Sequence, residues 1–149
     1  MKWIWIILGS LAGIVALVAI IGVALPVKHV ASRDARFRKT PAELWPSISP
    51  GTTQQTFKQD DVSYEVVDSL PNRRLVTRIA DKNLPYGGSW TYEIEPDGSG
   101  SVLRITEHGE VYNPIFRFVS KFVMGHTATI DSGLKEIGKK AGEDVKIEN

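Results

Sequence analysis

One long apolar stripe near the C-terminus limits what this chain can fold into more than any other stretch. Asn113 is a favourable helix N-cap, and Pro114 follows at the first helical position, where its missing N–H costs nothing. Beyond it Phe116, Val119, Val123, Thr127, Ile130, Leu134, Ile137 and Ala141 recur at alternating steps of three and four. That spacing draws one mostly apolar line down a single helix predicted over residues 113–141. At 1.5 Å per residue the line is roughly 40 Å long, more than the diameter of a small domain. Such a helix cannot bury its stripe alone, so the chain before it must supply the cover.

That chain reads mostly as strands. Residues 27–38 place Ala31, Ala35 and Phe37 on one parity and Asp34, Arg36 and Arg38 on the other. Thr40-Pro41-Ala42-Glu43 is a capping box with proline at the first helical position. It opens a short helix through Leu44 and Trp45 that Pro46 is expected to disturb, and Ser49-Pro50-Gly51 is the turn that ends it. Residues 53–59 form a weak, polar strand, and 62–68 a stronger one with Val62, Tyr64 and Val66 on one face. Leu70-Pro71-Asn72 turns the chain into 73–80, which carries Leu75, Thr77 and Ile79, and 81–88 is a predicted loop. Residues 89–95 alternate cleanly, with Trp90, Tyr92 and Ile94 on one side. Pro96-Asp97-Gly98-Ser99-Gly100 is a strong hairpin signal, and 101–112 returns with Leu103, Ile105 and Val111 on the apolar parity. The prediction is an antiparallel meander with one buried face, curved around the C-terminal helix in an α+β fold.

Residues 3–25 contain no charged side chain. As a helix they are long enough to cross a hydrocarbon core of about 30 Å. A cleaved signal peptide has a shorter apolar region, about 7–15 residues, before a small-residue cleavage site. Gly22-Val23-Ala24 resembles such a site, but the uninterrupted run is too long for that reading. The predicted organisation is therefore a single-pass membrane anchor over 1–26 and a water-soluble domain over 27–149. Gly9 and Gly13 form a GxxxG within the span, which either pairs two anchors or reflects only how common glycine is in membrane helices. Lys28, Arg33, Arg36, Arg38 and Lys39 follow the span against Lys2 before it, so the positive-inside rule favours a cytoplasmic-facing domain. Leaving out Lys2, 17 of the 18 lysines and arginines stand against 17 acidic residues, and no basic field points to nucleic acid. Cysteine is absent, which excludes a disulfide framework, a thiol nucleophile and a thiolate metal site.

The order of elements and several runs resemble a known superfamily. Those runs are Arg73-Arg74-Leu75-Val76-Thr77-Arg78-Ile79-Ala80-Asp81, Gly87-Gly88-Ser89-Trp90-Thr91-Tyr92-Glu93-Ile94 and Ile105-Thr106-Glu107. A further one is Gly109-Glu110-Val111-Tyr112-Asn113-Pro114-Ile115-Phe116-Arg117-Phe118. Together they are similar to the SRPBCC or START-like helix-grip proteins, in a bacterial branch of polyketide cyclase/dehydrase-like members that commonly carries an N-terminal membrane segment. The resemblance covers about residues 25–142. It implies a ligand space between sheet and long helix, in a superfamily of lipid and steroid carriers, ligand binders and cyclases. One departure is that the short first helix passes almost directly to Thr53, without the second helix and strand usual in the superfamily. Something like twenty residues of the usual pattern are missing, which predicts a less complete sheet or a more open cavity.

Pockets of this kind are mostly apolar, with a few polar groups that orient the ligand. By parity Trp90, Tyr92, Leu103 and Ile105 face that space, and Phe122, His126 and Ile130 meet them from the helix. Glu107 shares the parity of Leu103, Ile105 and Val111, and a desolvated carboxylate there is a candidate acid or base as well as a ligand contact. The structural alternatives are a bulge near Gly109 that turns Glu107 outward, or an ion pair with Arg78. His126 is either a ligand or Glu107 partner or an ordinary helix histidine, and His29 falls just outside the apolar segment. Phe116, Phe118 and Phe122, with Ile115 and Met124, make the helix's apolar side wider than its stripe requires, as core, as a cavity mouth or as a surface that touches the bilayer. No HExxH, GxSxG, P-loop or GxGxxG is present, so neither metal nor cofactor is expected. The leading expectation is a membrane-anchored domain that binds a lipid or other apolar small molecule. The alternatives are a cyclase or dehydratase using Glu107 with Tyr92 or His126, and a non-enzymatic membrane scaffold.

Overall fold

A computed structural model describes residues 2–49, 56–59 and 61–148. Helix α1 (Lys2–Ala24) is followed by strand β1 (Lys28–Phe37), helix α2 (Pro41–Ile48), and strands β2 (Thr56–Gln59), β3 (Val62–Leu70) and β4 (Arg74–Ile79). Two long strands, β5 (Tyr86–Asp97) and β6 (Gly100–Val111), lead to helices α3 (Pro114–Val119) and α4 (Ala128–Ala141), and β7 (Ile147–Glu148) ends the chain. The seven strands form one antiparallel sheet in the order β2-β3-β4-β5-β6-β1-β7. The expected α+β architecture, a curved sheet gripping a C-terminal helix, is the one observed.

The local signals act as their chemistry requires. At α2 the Glu43 carboxylate accepts a hydrogen bond from the Thr40 N–H at 2.9 Å, closing the capping box. Helix α2 runs on through Pro46 to Ile48 instead of being disturbed there. Proline removes one helical hydrogen bond, and burial of Leu44 with packing of Trp45 and Ile48 on the core offsets that loss. Strand β5 begins at Tyr86, inside the stretch expected to be loop, because Tyr86, Gly87 and Gly88 pair with Val111, Glu110 and Gly109. The β5–β6 register is unbroken from end to end, so no bulge at Gly109 turns β6 over. The register shift of this sheet lies instead in β3, between Val66 and Asp68. The predicted turn at 49–51 and the start of the predicted strand at 53 fall largely outside the described residues.

The core sits between the inner sheet face and α4. Along β6, Ser101, Leu103, Ile105, Glu107 and Gly109 are buried while Arg104 and His108 are exposed, the two-residue alternation of a half-buried strand. From α4, Ile130, Leu134, Ile137 and Ala141 pack into the same cluster as Ala35, Phe37, Leu44, Ile94, Leu103 and Ile105. Glycine at 142, with φ at 72°, ends α4 in the left-handed conformation.

The single helix predicted over 113–141 is two helices. Asn113 caps α3 as expected, its side-chain oxygen accepting from the N–H groups of Ile115 and Phe116. After Val119 the chain widens into a π-helical turn, Ser120–Met124, and Gly125 then stops it with φ at 79°. That conformation is open to glycine and strained for other residues. The stripe divides at this break: its second half is core, whereas Phe116 is 49% and Val123 71% exposed. Among the described residues no second helix lies between α2 and β2, and a groove of 500 Å³ lined by Ile48, Phe57, Tyr92 and Glu136 opens beside that junction.

Helix α1 is long and apolar enough, over Lys2–Ala24, to cross a membrane. It packs on α3. A Cβ placed on Gly22 would fall 1.9 Å from the Pro114 carbonyl oxygen, so only glycine allows the two backbones to approach this closely. The Arg117 guanidinium donates to the carbonyls of Gly22, Leu25, Val111 and Tyr112, at 2.9–3.1 Å. One planar fork thus satisfies carbonyls at the end of α1 together with two at the end of β6.

Candidate functional site

Where the sheet leaves α4 and meets α3 there is a cavity of 510 Å³. Its wall is largely apolar: Tyr64, Ile79, Tyr86 and Trp90 come from the sheet, and Phe116, Val119 and Met124 from α3 and the π-turn. Four polar residues, His29, Glu107, His126 and Thr129, meet on one side of it. A second space of 390 Å³ adjoins it, sharing Tyr64, Trp90, Met124 and Thr129, and extends between Tyr92, Ile105 and Ile130.

Glu107 is the centre of the polar group. Its side chain is buried, and its Oε2 accepts from the Trp90 indole N–H at 3.0 Å and from the Thr129 hydroxyl. Its Oε1 faces His29 Nε2 at 3.4 Å. The carboxylate is therefore tied into β5, α4 and β1 at once. Arg78, the other partner considered for it, pairs with Glu65 on the neighbouring strand. Gly109 makes the His29 contact possible, since a Cβ there would lie 2.3 Å from the imidazole and 2.9 Å from Glu107 Oε1.

His29 lies within β1, in the strand predicted over 27–38 and just beyond the apolar segment, and its side chain turns inward to the cavity. The sequence signal was available, because residue 29 shares parity with Ala31, Ala35 and Phe37. His126 sits in the turn after Gly125 and stacks on His29, with ring centroids 4.2 Å apart and planes inclined by 25°. It makes no hydrogen bond to Glu107, and its Nδ1 is buried without a partner in the cavity wall. Burial, reinforced by His29 and Lys121 nearby, holds the His126 pKa below the usual histidine value. Tyr92 does not line the larger cavity; it borders the adjoining space and hydrogen-bonds Thr77. Burial pushes its phenol up to about 12, so it stays protonated at neutral pH and offers no phenolate base.

Of the residues expected at the site, Trp90, Glu107 and His126 line the larger cavity, and Tyr92, Ile105 and Ile130 the adjoining one. Phe122 lines neither: it is 57% exposed and lies against Phe118, because the π-turn points it outward. Among the described residues no group of three or more His, Asp or Glu side chains is placed to hold a metal ion.

No family model and no curated protein matches the sequence. Solved structures do match the fold. CalU16 from Micromonospora echinospora superposes with a TM-score of 0.55 at 15% identity, over 78% of this chain and 87% of that one. Mll3558 from Rhizobium loti gives 0.53 at 14% identity, over 74% and 97%. Norcoclaurine synthase from Thalictrum flavum gives 0.53 at 12% identity, over 79% and 88%. With its antiparallel sheet closed on α4, this chain shares the helix-grip fold of these solved structures.

Proposed function

We propose that the domain binds a lipid or other apolar small molecule in the 510 Å³ cavity without transforming it, and that α1 holds it at a membrane. The observation that carries this reading is the state of Glu107. A buried carboxylate engaged by Trp90, Thr129 and His29 is committed to holding three elements together, and the rest of the wall is largely apolar. The membrane part rests on a 23-residue apolar helix whose end is built into the domain through Gly22 and Arg117. A segment made to be cleaved off has no need of such packing.

The test is native mass spectrometry of the full chain in detergent, with a dansyl-labelled fatty acid and an NBD-labelled sterol as probes. A defined co-purifying lipid, or saturable probe binding that Val119→Trp abolishes by filling the cavity, is the expected result. Absence of both sinks the reading. A second reading, acid–base catalysis, draws on the His29–Glu107 pair beside the unpartnered His126 Nδ1. Glu107→Gln separates the two: binding survives it on the first reading, and turnover of a bound substrate is lost on the second.

A further inference from the structure

The contact between α1 and α3 fixes how deep the cavity's rim lies, provided that α1 is the membrane span proposed above. The residues drawn out of solvent are Val18, Ala19, Ile21 and Gly22 of α1 and Leu25 just after it, a face on the helix's last two turns. From Leu25 back to Val18 that face is about 10 Å long. A core of about 30 Å needs about 20 helical residues, so a helix of 23 has few to spare at either end. Even with the spare residues all at the C-terminal end, Val18, Ala19 and Ile21 stay within the span, so the face against α3 reaches into it.

The composition of α3 agrees with this depth. Five of its six residues, in the run Pro-Ile-Phe-Arg-Phe-Val, are apolar, and Ile115 and Phe116 stand exposed. The sixth is Arg117, whose guanidinium is turned inward onto four carbonyls instead of outward. An arginine paired with backbone carbonyls is tolerated next to acyl chains, where an unpaired one is not. The π-turn continues the same surface: Phe122, Val123 and Met124 are 57%, 71% and 61% exposed. Lys121 lies over the Phe122 ring at 5.7 Å, the cation-and-aromatic pairing suited to a headgroup boundary. Phe116 and Met124 belong at once to this surface and to the cavity wall.

We propose that α3 and the π-turn are seated in the leaflet at the C-terminal end of α1, so that the cavity opens onto acyl chains and its occupant passes in sideways from the bilayer. The chain has no cysteine, so single nitroxide labels report depth cleanly. The full chain carrying Val123→Cys, Leu11→Cys or Ser99→Cys is labelled and reconstituted in vesicles of phosphatidylcholine and phosphatidylglycerol. Collisions with oxygen and with a water-soluble nickel chelate are then compared. The expected result at Val123 is loss of nickel relaxation relative to Ser99, with oxygen relaxation retained, as at Leu11. Nickel access at Val123 equal to that at Ser99 overturns the proposal, and protection from both reagents, which marks a protein partner or second copy on this surface, overturns it too. Nickel access at Leu11 removes the span itself, and the proposal with it. A lipid-exposed Val123 in a chain that takes up neither fluorescent probe supports the seating and overturns only the binding function.

Discussion

The two halves of the C-terminal stripe have the same period and comparable hydrophobicity, yet they end in different surroundings. In α4 the stripe meets the sheet: Ile130 and Leu134 are almost completely buried against Leu44, Leu103 and Ile105. In α3 and the π-turn it leaves the sheet, passes a cavity and faces outward at Phe122, Val123 and Met124. Periodicity shows that a face is apolar. It does not show what covers that face. Here one half is covered by the chain itself, and the other stands exposed.

The sharpest way to break this comparison is truncation in each half. Leu134→Ala, at a fully buried site, is expected to cost about 2–5 kcal/mol in denaturant unfolding, while Val123→Ala stays within about 0.5 kcal/mol. Equal losses would mean that Val123 is core. A smaller effect tests the join between α1 and the exposed half. Gly22→Leu drives a side chain into the Pro114 backbone and should lower stability in detergent by about 1–3 kcal/mol. Gly13→Leu meets nothing within 4 Å in the same chain and should leave stability unchanged, and any loss of dimer in that variant would reveal pairing of α1 helices. The smallest effect concerns the hinge between the halves. His126 has a pKa held below its ordinary value of 6.5, so the unfolded chain takes up its proton first as the pH falls. Stability is thus complete above that value and declines as the pH drops below it. His126→Phe keeps the stack on His29 and should flatten the decline in thermal melts between neutral and mildly acidic pH.

Much of the fold was legible because its signals are local. The Thr40 capping box, the Asn113 cap, the hairpin at Gly98 and the alternation from Trp90 to Ile94 each depend on a few adjacent residues. The helix break was harder to read. A lone glycine inside a helical pattern is usually tolerated, and Gly125 stops this one only because the turn there adopts a positive φ. The site was half legible for a similar reason. Strand parity turned Glu107 inward correctly, but its partners arrive from β5, α4 and β1, separated by up to about eighty residues in sequence. His29 was hidden by its position next to the apolar segment, although its own parity placed it inside. The outward rotation of Phe122 follows from the π-turn, whose extra residue shifts every side chain after it and leaves no mark in composition.

The Arg117 clasp also sets how far the domain can travel. Only Leu25, Pro26 and Val27 separate α1 from β1, and the guanidinium bonds to carbonyls at the end of α1, within that short passage and at the end of β6. With α1 in a bilayer the domain is mounted like a bracket rather than hung on a cord. Its height and bearing then follow from the tilt of α1 and not from the length of a flexible linker.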